Sequence, residues 1–348
     1  MEDSNQFKRT DINELGEFTL IDHLTFDAIL KQPSTIKGIG DDAAVIDSGD
    51  HFTLVSTDML VEGIHFDLAY TPLKHLGYKS VIVNLSDIYA MNGIPTQITV
   101  SIAISNRFSV EALEELYAGI HLACDLYNVD LVGGDTTSSQ KGLIISITAI
   151  GEVEKTKVVY RSGANIGDIA CVTGSLGGAY LGLQMLEREK QIYQEHPSVQ
   201  PQLDGHEYLI GRLLKPEARK DAIAYFEENN VIPSSMIDVS DGLSSELFHL
   251  ARQSGVGFII DEDMVPIHID TQKLAIDFGI DPITCALHSG EDYELLFTIK
   301  EKDLEAIRMM PDVAIIGEVV SGSEGLHLRT NSGNKHALSA QGWKHFER

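Results

Sequence analysis

The sequence predicts a mixed α/β fold, or an α+β one, made of two domains over residues 1–152 and 153–348. Three observations lead there. A chain of 348 residues exceeds the usual size of a single domain. Segments patterned as strands and as helices interleave through both halves. Residues 152–157 (EVEKTK), charged and without periodicity, separate the halves.

In chain order, residues 51–57 (HFTLVST) read as a strand, and Pro72 suits the first turn of a helix through KHLGYKSVIVNLSDIYAM. Residues 96–104 (TQITVSIAI) alternate polar and apolar, the period of a half-buried strand. Ser109 caps a helix reaching about Tyr127, and residues 129–132 and 143–151 are further short strands. In the second half, residues 168–174 (DIACVTG) form a strand and 178–186 a helix. Residues 187–207 read as a polar surface excursion or lid. Helices near 208–214 and 217–228 precede a strand at 235–239, a helix at about 243–253 and a strand at 257–261. Strands at 293–299 and 313–319 close the set.

Fifty-two acidic against 26 basic residues give a net charge of −26, which argues against binding nucleic acid by neutralising phosphates. A small phosphorylated substrate stays open, because divalent cations supply positive charge locally. No apolar run approaches the ~20 residues of a membrane helix. The polar start MEDSNQFKRTD lacks the apolar core of a secretory leader. Cys124, Cys171 and Cys285 lie far apart, which suits a reducing cytoplasm and no thiolate zinc site. The expectation is a cytoplasmic protein that binds neither nucleic acid nor membrane.

Neither a P-loop nor the protein-kinase motifs occur. The glycines of GSLGG (residues 174–178) do not match GxGxxG and read as a strand-to-helix turn. What stands out is a series of acids where strands or helices meet glycines. They are Asp41 and Asp42 in GDDAAV, Asp58 closing STD, Asp87 in NLSD, Asp135 in GGDT after a strand, Asp238 and Asp241 in DVSDG, and Glu291 and Asp292 in GEDY. A cap, a turn or an ion pair explains any one of them. Together they fit strand-end acids converging on the crevice where α/β proteins bind ligands. Asp87 is the sharpest case, since an unpaired carboxylate in an apolar helix is costly or takes up a proton. Carboxylates hold hard divalent cations, so composition and spacing reach multi-metal phosphate chemistry and no further.

The motifs GIGDDAAVI, STDMLVEGIHF, NLSDIYAMNGIP, LVGGDTTSS, DVSDGLSSEL, SGEDYELLF and a terminal GWKHF occur in that order from about residue 16 to the end. So arranged, the sequence resembles the thiamine-monophosphate kinases, a family of the ATP-binding superfamily that includes aminoimidazole ribonucleotide synthetase and selenophosphate synthetase. GDDAA or GGDT alone would mark only the superfamily; STD followed by VEGIHF, with GEDYEL and GW, points to this member.

The resemblance implies an N-terminal domain like half of a dimeric β-barrel flanked by helices, a C-terminal α/β domain and hence a homodimer. It implies ATP as co-substrate, several Mg²⁺ ions and thiamine monophosphate as acceptor, in the last step of thiamine diphosphate synthesis. Matched residue by residue, it puts magnesium ligands at Asp41, Ser56, Thr57, Asp58, Asp87, Asp135, Asp238 and Asp241. ATP contacts fall at Tyr117, Gly134, Asp135, Arg161 and Ser240, and thiamine-phosphate contacts at His65, Glu291 and Trp343. No general base is implied. A phosphomonoester has its second pKa near ~6, so the acceptor is already mostly dianionic at pH 7.

Three of these residues have plainer readings. His65 fits a packing histidine, Trp343 a docking anchor, and Arg161 a partner for a neighbouring acid. One departure stands out: the family reads SDxxAMG, whereas Asn92 here precedes Gly93. Asn tolerates left-handed backbone, so the helix can still end there.

Two superfamily rivals fit less well. A selenophosphate synthetase would carry a reactive Cys beside a Lys near its N-terminus, whereas the first cysteine here is Cys124. A hydrogenase-maturation relative would end in a cysteine-bearing tail, whereas this sequence ends HFER. The non-enzymatic alternative is an acidic module that binds cations without turnover.

Overall fold

The computed structural model describes residues 17–339. In the first half these form α1 (Glu17–Thr25), β1 (Thr35–Lys37), β2 (Ala44–Asp47), β3 (His51–Val61), α2 (Leu73–Ala90), β4 (Ile94–Ile104), α3 (Val110–Tyr127), β5 (Asp130–Ser138) and β6 (Ile144–Glu154). The second half begins with β7 (Ile169–Thr173), α4 (Gly178–Glu195), α5 (Glu207–Leu214), α6 (Lys220–Asn229), β8 (Ser235–Asp238), α7 (Leu243–Ser254) and β9 (Val256–Asp261). It ends with α8 (Ile269–Asp277), α9 (Pro282–His288), β10 (Leu295–Ile299), α10 (Leu304–Arg308), β11 (Val313–Ser321), β12 (Leu326–Arg329) and β13 (Lys335–Ala337).

The first-half strands make one open six-stranded sheet, β1-β2-β3-β6-β4-β5, antiparallel except for the β4/β5 pair joined through α3. Among the described residues it closes into no barrel. The other strands form a seven-stranded sheet, β13-β12-β9-β11-β7-β10-β8.

Helix α2 joins the two sheets. Its sequence has no polar stripe, and a helix apolar all round belongs in a core. Ile82, Leu85 and Ile88 share one buried cluster with Ile98 and Ile147 of the first sheet and with Met236 and Phe297 of the second. The few polar groups of α2 therefore sit at the seam between the halves. The helix ends as Asn92 turns into left-handed backbone (φ 57°), its Nδ2 donating to the Lys157 carbonyl at 2.9 Å.

Three sequence expectations change. The strand expected at residues 129–132 runs on to Ser138, so Gly133–Gly134–Asp135 lie within β5 and not after it. Parallel pairing to β4 carries it there: a Cβ on Gly134 would lie 1.8 Å from the Val100 carbonyl, an approach only glycine permits. The supposed excursion at residues 187–207 is helical as far as Glu195, because EREKQ consists of strong helix formers that continue α4. The helix expected from residue 217 starts at Lys220. Glu217 instead accepts hydrogen bonds from Tyr78 (2.6 Å) and Tyr127 (2.8 Å), tying α2 and α3 to the second half.

Among the described residues, no helix is long and apolar enough to cross a membrane.

Candidate active site

β3 alternates, turning Ser56 and Asp58 toward α2 and leaving Thr57 and Met59 exposed on the opposite face. Helix α2 answers with Asn84, whose Oδ1 accepts from the Asp58 N–H at 2.9 Å, and with Asp87, which accepts from the Ser56 hydroxyl. From the seam side, Ser86 donates to Asp238 Oδ2 at the end of β8, at 2.6 Å. Two halves of the chain thus deliver carboxylates to one place. Ligand atoms of Asp42, Asp87 and Asp238 all lie within 4.8 Å of one another.

The electrostatics follow from that crowding. Asp87 is pushed well above the usual carboxylate range, by burial first and then by Asp58, Asp238 and Asp42. Burial lifts Asp58 to about 6, and burial with Asp42 beside it lifts Asp238 to about 7. Asp42 is raised too, burial outweighing Arg161, whose Nε and Nη2 both donate to its Oδ1 at 3.1 and 2.6 Å. Its Oδ2 is buried without a hydrogen-bond partner among the described residues. Carboxylates this close, with one arginine among them, form a site short of positive charge.

A second group of residues flanks this cluster. Beyond β8 and β10 the two chains stay paired, with Tyr293 N–H donating to the Val239 carbonyl and Glu291 N–H to the Ser240 carbonyl. Gly290 permits it, since a Cβ there would lie 1.9 Å from the Ser240 carbonyl. Glu291 and Tyr293 take left-handed backbone (φ 66° and 52°), strain of the kind found at ligand sites. Tyr293 is buried against Glu291, Asp58, Asp238 and Asp241, which with burial raise its phenol well above the ordinary range. The neighbouring Glu246 accepts from the Asp241 N–H at 3.0 Å and is likewise raised, by burial and then by Asp241.

Of the metal ligands expected from the resemblance, Asp58, Asp87 and Asp238 come together, with Ser56 bonded to Asp87 and Asp241 against Glu246 and Tyr293. Asp41 stands beside the cluster, accepting from Arg161 N–H at 3.0 Å and pairing with Lys37 at 3.3 Å. Its neighbour Asp42, which the sequence reading did not assign, enters the cluster instead. Nothing in a two-residue turn tells which twin points inward. The side chain of Thr57 bonds Thr148 on the far face of the sheet.

Gly134 and Asp135 also lie apart. Asp58 pairs with Ile147, Ile147 with Val100 and Val100 with Gly134. Gly134 is therefore in the row of Asp58 but three strands away, ~14 Å at ~4.8 Å per strand. Arg161 sits on Asp42. Ser240 lends its carbonyl to Glu291. His65 accepts from the Val61 N–H at 2.9 Å in the loop before α2. Tyr117 is half-buried on α3 beside His121. Trp343 lies outside the described residues.

Two further groups escaped the sequence reading. Lys79 of α2 is 3% exposed and donates to Glu291 Oε2 at 2.9 Å. A lysine just ahead of the apolar VIV stretch of that helix was the available signal. Behind GEDY, buried Glu294 accepts from Arg212 (2.9 Å), Arg219 (2.7 Å) and Thr173 (2.7 Å). Asp292 accepts from the Gly177 N–H at 2.7 Å, so the GSLGG glycines form a strand-to-helix turn anchored on a carboxylate. A cavity of about 640 Å³ lined by Tyr89, Asn92, Ile223 and Glu227 contains none of the clustered aspartates.

Residues 40–153 match the family described as AIR synthase related protein, N-terminal domain, and residues 165–328 match its C-terminal domain. A curated thiamine-monophosphate kinase of Aquifex aeolicus is 35% identical over 335 residues, covering 96% of this chain and 99% of that one. The Bacillus subtilis thiamine-monophosphate kinase is 34% identical over 343 residues, covering 96% and 100%. Among solved structures, AaThiL complexed with AMPPCP and TMP superposes with a TM-score of 0.83 at 33% identity, covering 97% of this chain and 100% of that one. The hydrogenase maturation protein HypE in complex with ATP shares the fold, with a TM-score of 0.67 at 21% identity, covering 92% of this chain and 94% of that one. On the match of both domain models and of near full-length relatives, the chain belongs to the thiamine-monophosphate kinase family of enzymes.

Proposed function

We propose that the chain transfers the γ-phosphoryl group of ATP in line onto the phosphate of thiamine monophosphate, giving thiamine diphosphate and ADP. The observation that carries this reading is the convergence of Asp42, Asp58, Asp87 and Asp238 from both halves at one seam. The donor set is all oxygen, the carboxylates repel one another, and the buried Asp42 Oδ2 lacks a partner among the described residues, which together fit hard divalent cations. Bound Mg²⁺ supplies the positive charge that lets two anionic phosphates approach.

The chain's own residues then have simple tasks. Asp42, Asp58, Asp87 and Asp238 hold the cations, with Asp41 and Asp241 at the margins. Ser56, Ser86 and Asn84 fix the orientation of those groups, and Thr57 has only its main-chain carbonyl to offer. Arg161 shifts part of its charge from Asp42 to a phosphate oxygen, and Ser240 and Tyr117 bound the nucleotide. His65, Glu291 and Trp343 receive the thiamine moiety. No side chain takes a proton, since the acceptor oxygen is already ionised.

The reading extends to assembly, domain division and compartment. A second copy covers the open face of the first sheet, where Met59 and Val132 are more than half exposed, and Gly134 and Asp135 of the edge strand then fall at the junction. Residues 1–152 carry most of the nucleotide and metal contacts, and residues 153–348 close the seam, adding Asp238, Asp241, Arg161 and Ser240 from the other side. Three buried, unpaired thiols suit a reducing cytoplasm.

The test is ADP release from protein, Mg²⁺ and ATP with and without thiamine monophosphate. ADP formed only with the acceptor is the expected result. ADP formed regardless of acceptor contradicts the reading, and none under any condition favours a cation-binding module.

A further inference from the structure

Lys79 is the buried one of the two lysines that α2 carries, Lys74 being exposed. It lies 3% exposed at the seam between the halves, and its ammonium donates to a single described partner, Glu291 Oε2, at 2.9 Å. A buried ion pair is a poor stabiliser, because losing water costs both charges about what their attraction returns, and apolar replacements are often neutral or better. Position is therefore a stronger reason than stability for a lysine here.

What it positions is Glu291. The main chain of that residue is already pinned by its left-handed φ of 66°, its hydrogen bond to the Ser240 carbonyl and the close approach at Gly290. With Oε2 held by Lys79, the other oxygen has no hydrogen bond to any described residue, and the side chain keeps 29% exposure. One oxygen is anchored in the protein and one is offered outward, beside the acid cluster.

We infer that Lys79 is a positioning residue for acceptor recognition, holding Glu291 so that its Oε1 accepts from an N–H of the acceptor's cationic, amino-bearing heteroaromatic part. The inference rests on the proposed reaction and adds a residue to it. Lys79 touches neither nucleotide nor reacting phosphates in this arrangement, so its removal acts on the affinity for the acceptor.

Steady-state kinetics with ATP, Mg²⁺ and thiamine monophosphate test it on Lys79→Met, Glu291→Gln and the double variant. Loss of one charged hydrogen bond corresponds to about tenfold in binding. Lys79→Met is expected to raise the acceptor KM about tenfold or more, with kcat and the KM for ATP moving less than about threefold. The double variant is expected to be no worse than the poorer single, because both changes remove one contact. An unchanged acceptor KM, a parallel rise in both KM values, or fully multiplicative losses overturns the inference. Should Lys79→Met fail to fold, Lys79→Gln, which removes the ammonium but leaves a polar group beside Glu291, is read in its place: a raised acceptor KM with kcat little changed supports the inference and an unchanged one overturns it. Wild-type protein that makes no ADP in response to the acceptor sinks the proposed reaction and this inference together. An active wild type with an unmoved Lys79→Met sinks only the inference.

Discussion

Asp87→Asn is expected to abolish turnover while raising the melting temperature of the metal-free protein at pH 8. Asp87 has Asp58, Asp238 and Asp42 around it, and burial and like charge push it well above the ordinary carboxylate range. Asn keeps the shape and still accepts from Ser56, but it neither binds a cation as a carboxylate does nor repels its neighbours. Losing a cation that screens two phosphates removes several kcal/mol of transition-state stabilisation, about 10³-fold or more in rate.

The stability effect has the opposite sign. Asp58 and Asp238, raised to about 6 and about 7, keep protons in the folded protein that the unfolded chain has released at those pH values. The native state therefore binds more protons than the unfolded one from about pH 4 upward. Stability of the metal-free protein falls as pH rises through that window and is lowest above about 7. Removing one charge there should raise the melting temperature by ~2 °C or more. Mg²⁺ should stabilise the wild type more at pH 8 than at pH 5 and leave the variant nearly unmoved. Calorimetric scans in chelator and in Mg²⁺ check both halves. Near-normal turnover, or a lower metal-free melting temperature at pH 8, contradicts the assignment.

Glu294→Leu should be among the most destabilising single changes in the second half. Its carboxylate is 2% exposed and shared by Arg212 and Arg219, with Thr173 completing the set. Removing it takes one carboxylate from both buried guanidinium groups, leaving Arg212 with Asp292 at 3.8 Å and Arg219 with Asp221 and Asp312, a cost toward the low end of about 3–5 kcal/mol. Breaking the solvent-screened Lys157–Glu227 pair by Lys157→Met should cost far less. Urea unfolding of both variants distinguishes the cases, and comparable midpoints would show that the network is dispensable. Since Glu294 lies one residue past Tyr293, the damage should spread to the strained turn that carries Glu291.

Much of this was legible in the sequence because periodicity reports burial. The apolar VIV and IYAM stretches on either side of NLSD identified α2 as a core helix, the alternation of β4 identified a half-buried strand, and Ser109 marked a helix start that its side chain does cap. Acids at strand ends signalled a site because strand ends converge in mixed folds.

What periodicity cannot report stayed hidden. Asp41 and Asp42 occupy a turn, where no repeat says which twin faces inward. Lys79 and Glu291 are 212 residues apart, and no local pattern couples them. The extension of β5 through GGDT depended on a neighbouring strand, since its own residues are polar and exposed on both faces. The short strand β13 and the helices α8 and α9 lack the length for a clear pattern.

Crystals grown with Mn²⁺ in place of Mg²⁺ and a non-hydrolysable ATP analogue, measured for anomalous scattering, address the seam directly. Peaks are expected at ~2.0–2.6 Å from carboxylate oxygens of Asp42, Asp87 and Asp238, with Asp58 within reach of at least one of the same ions. Peaks confined to other surfaces, with those four side chains bound only to protein, would contradict a shared cation cage between the two halves.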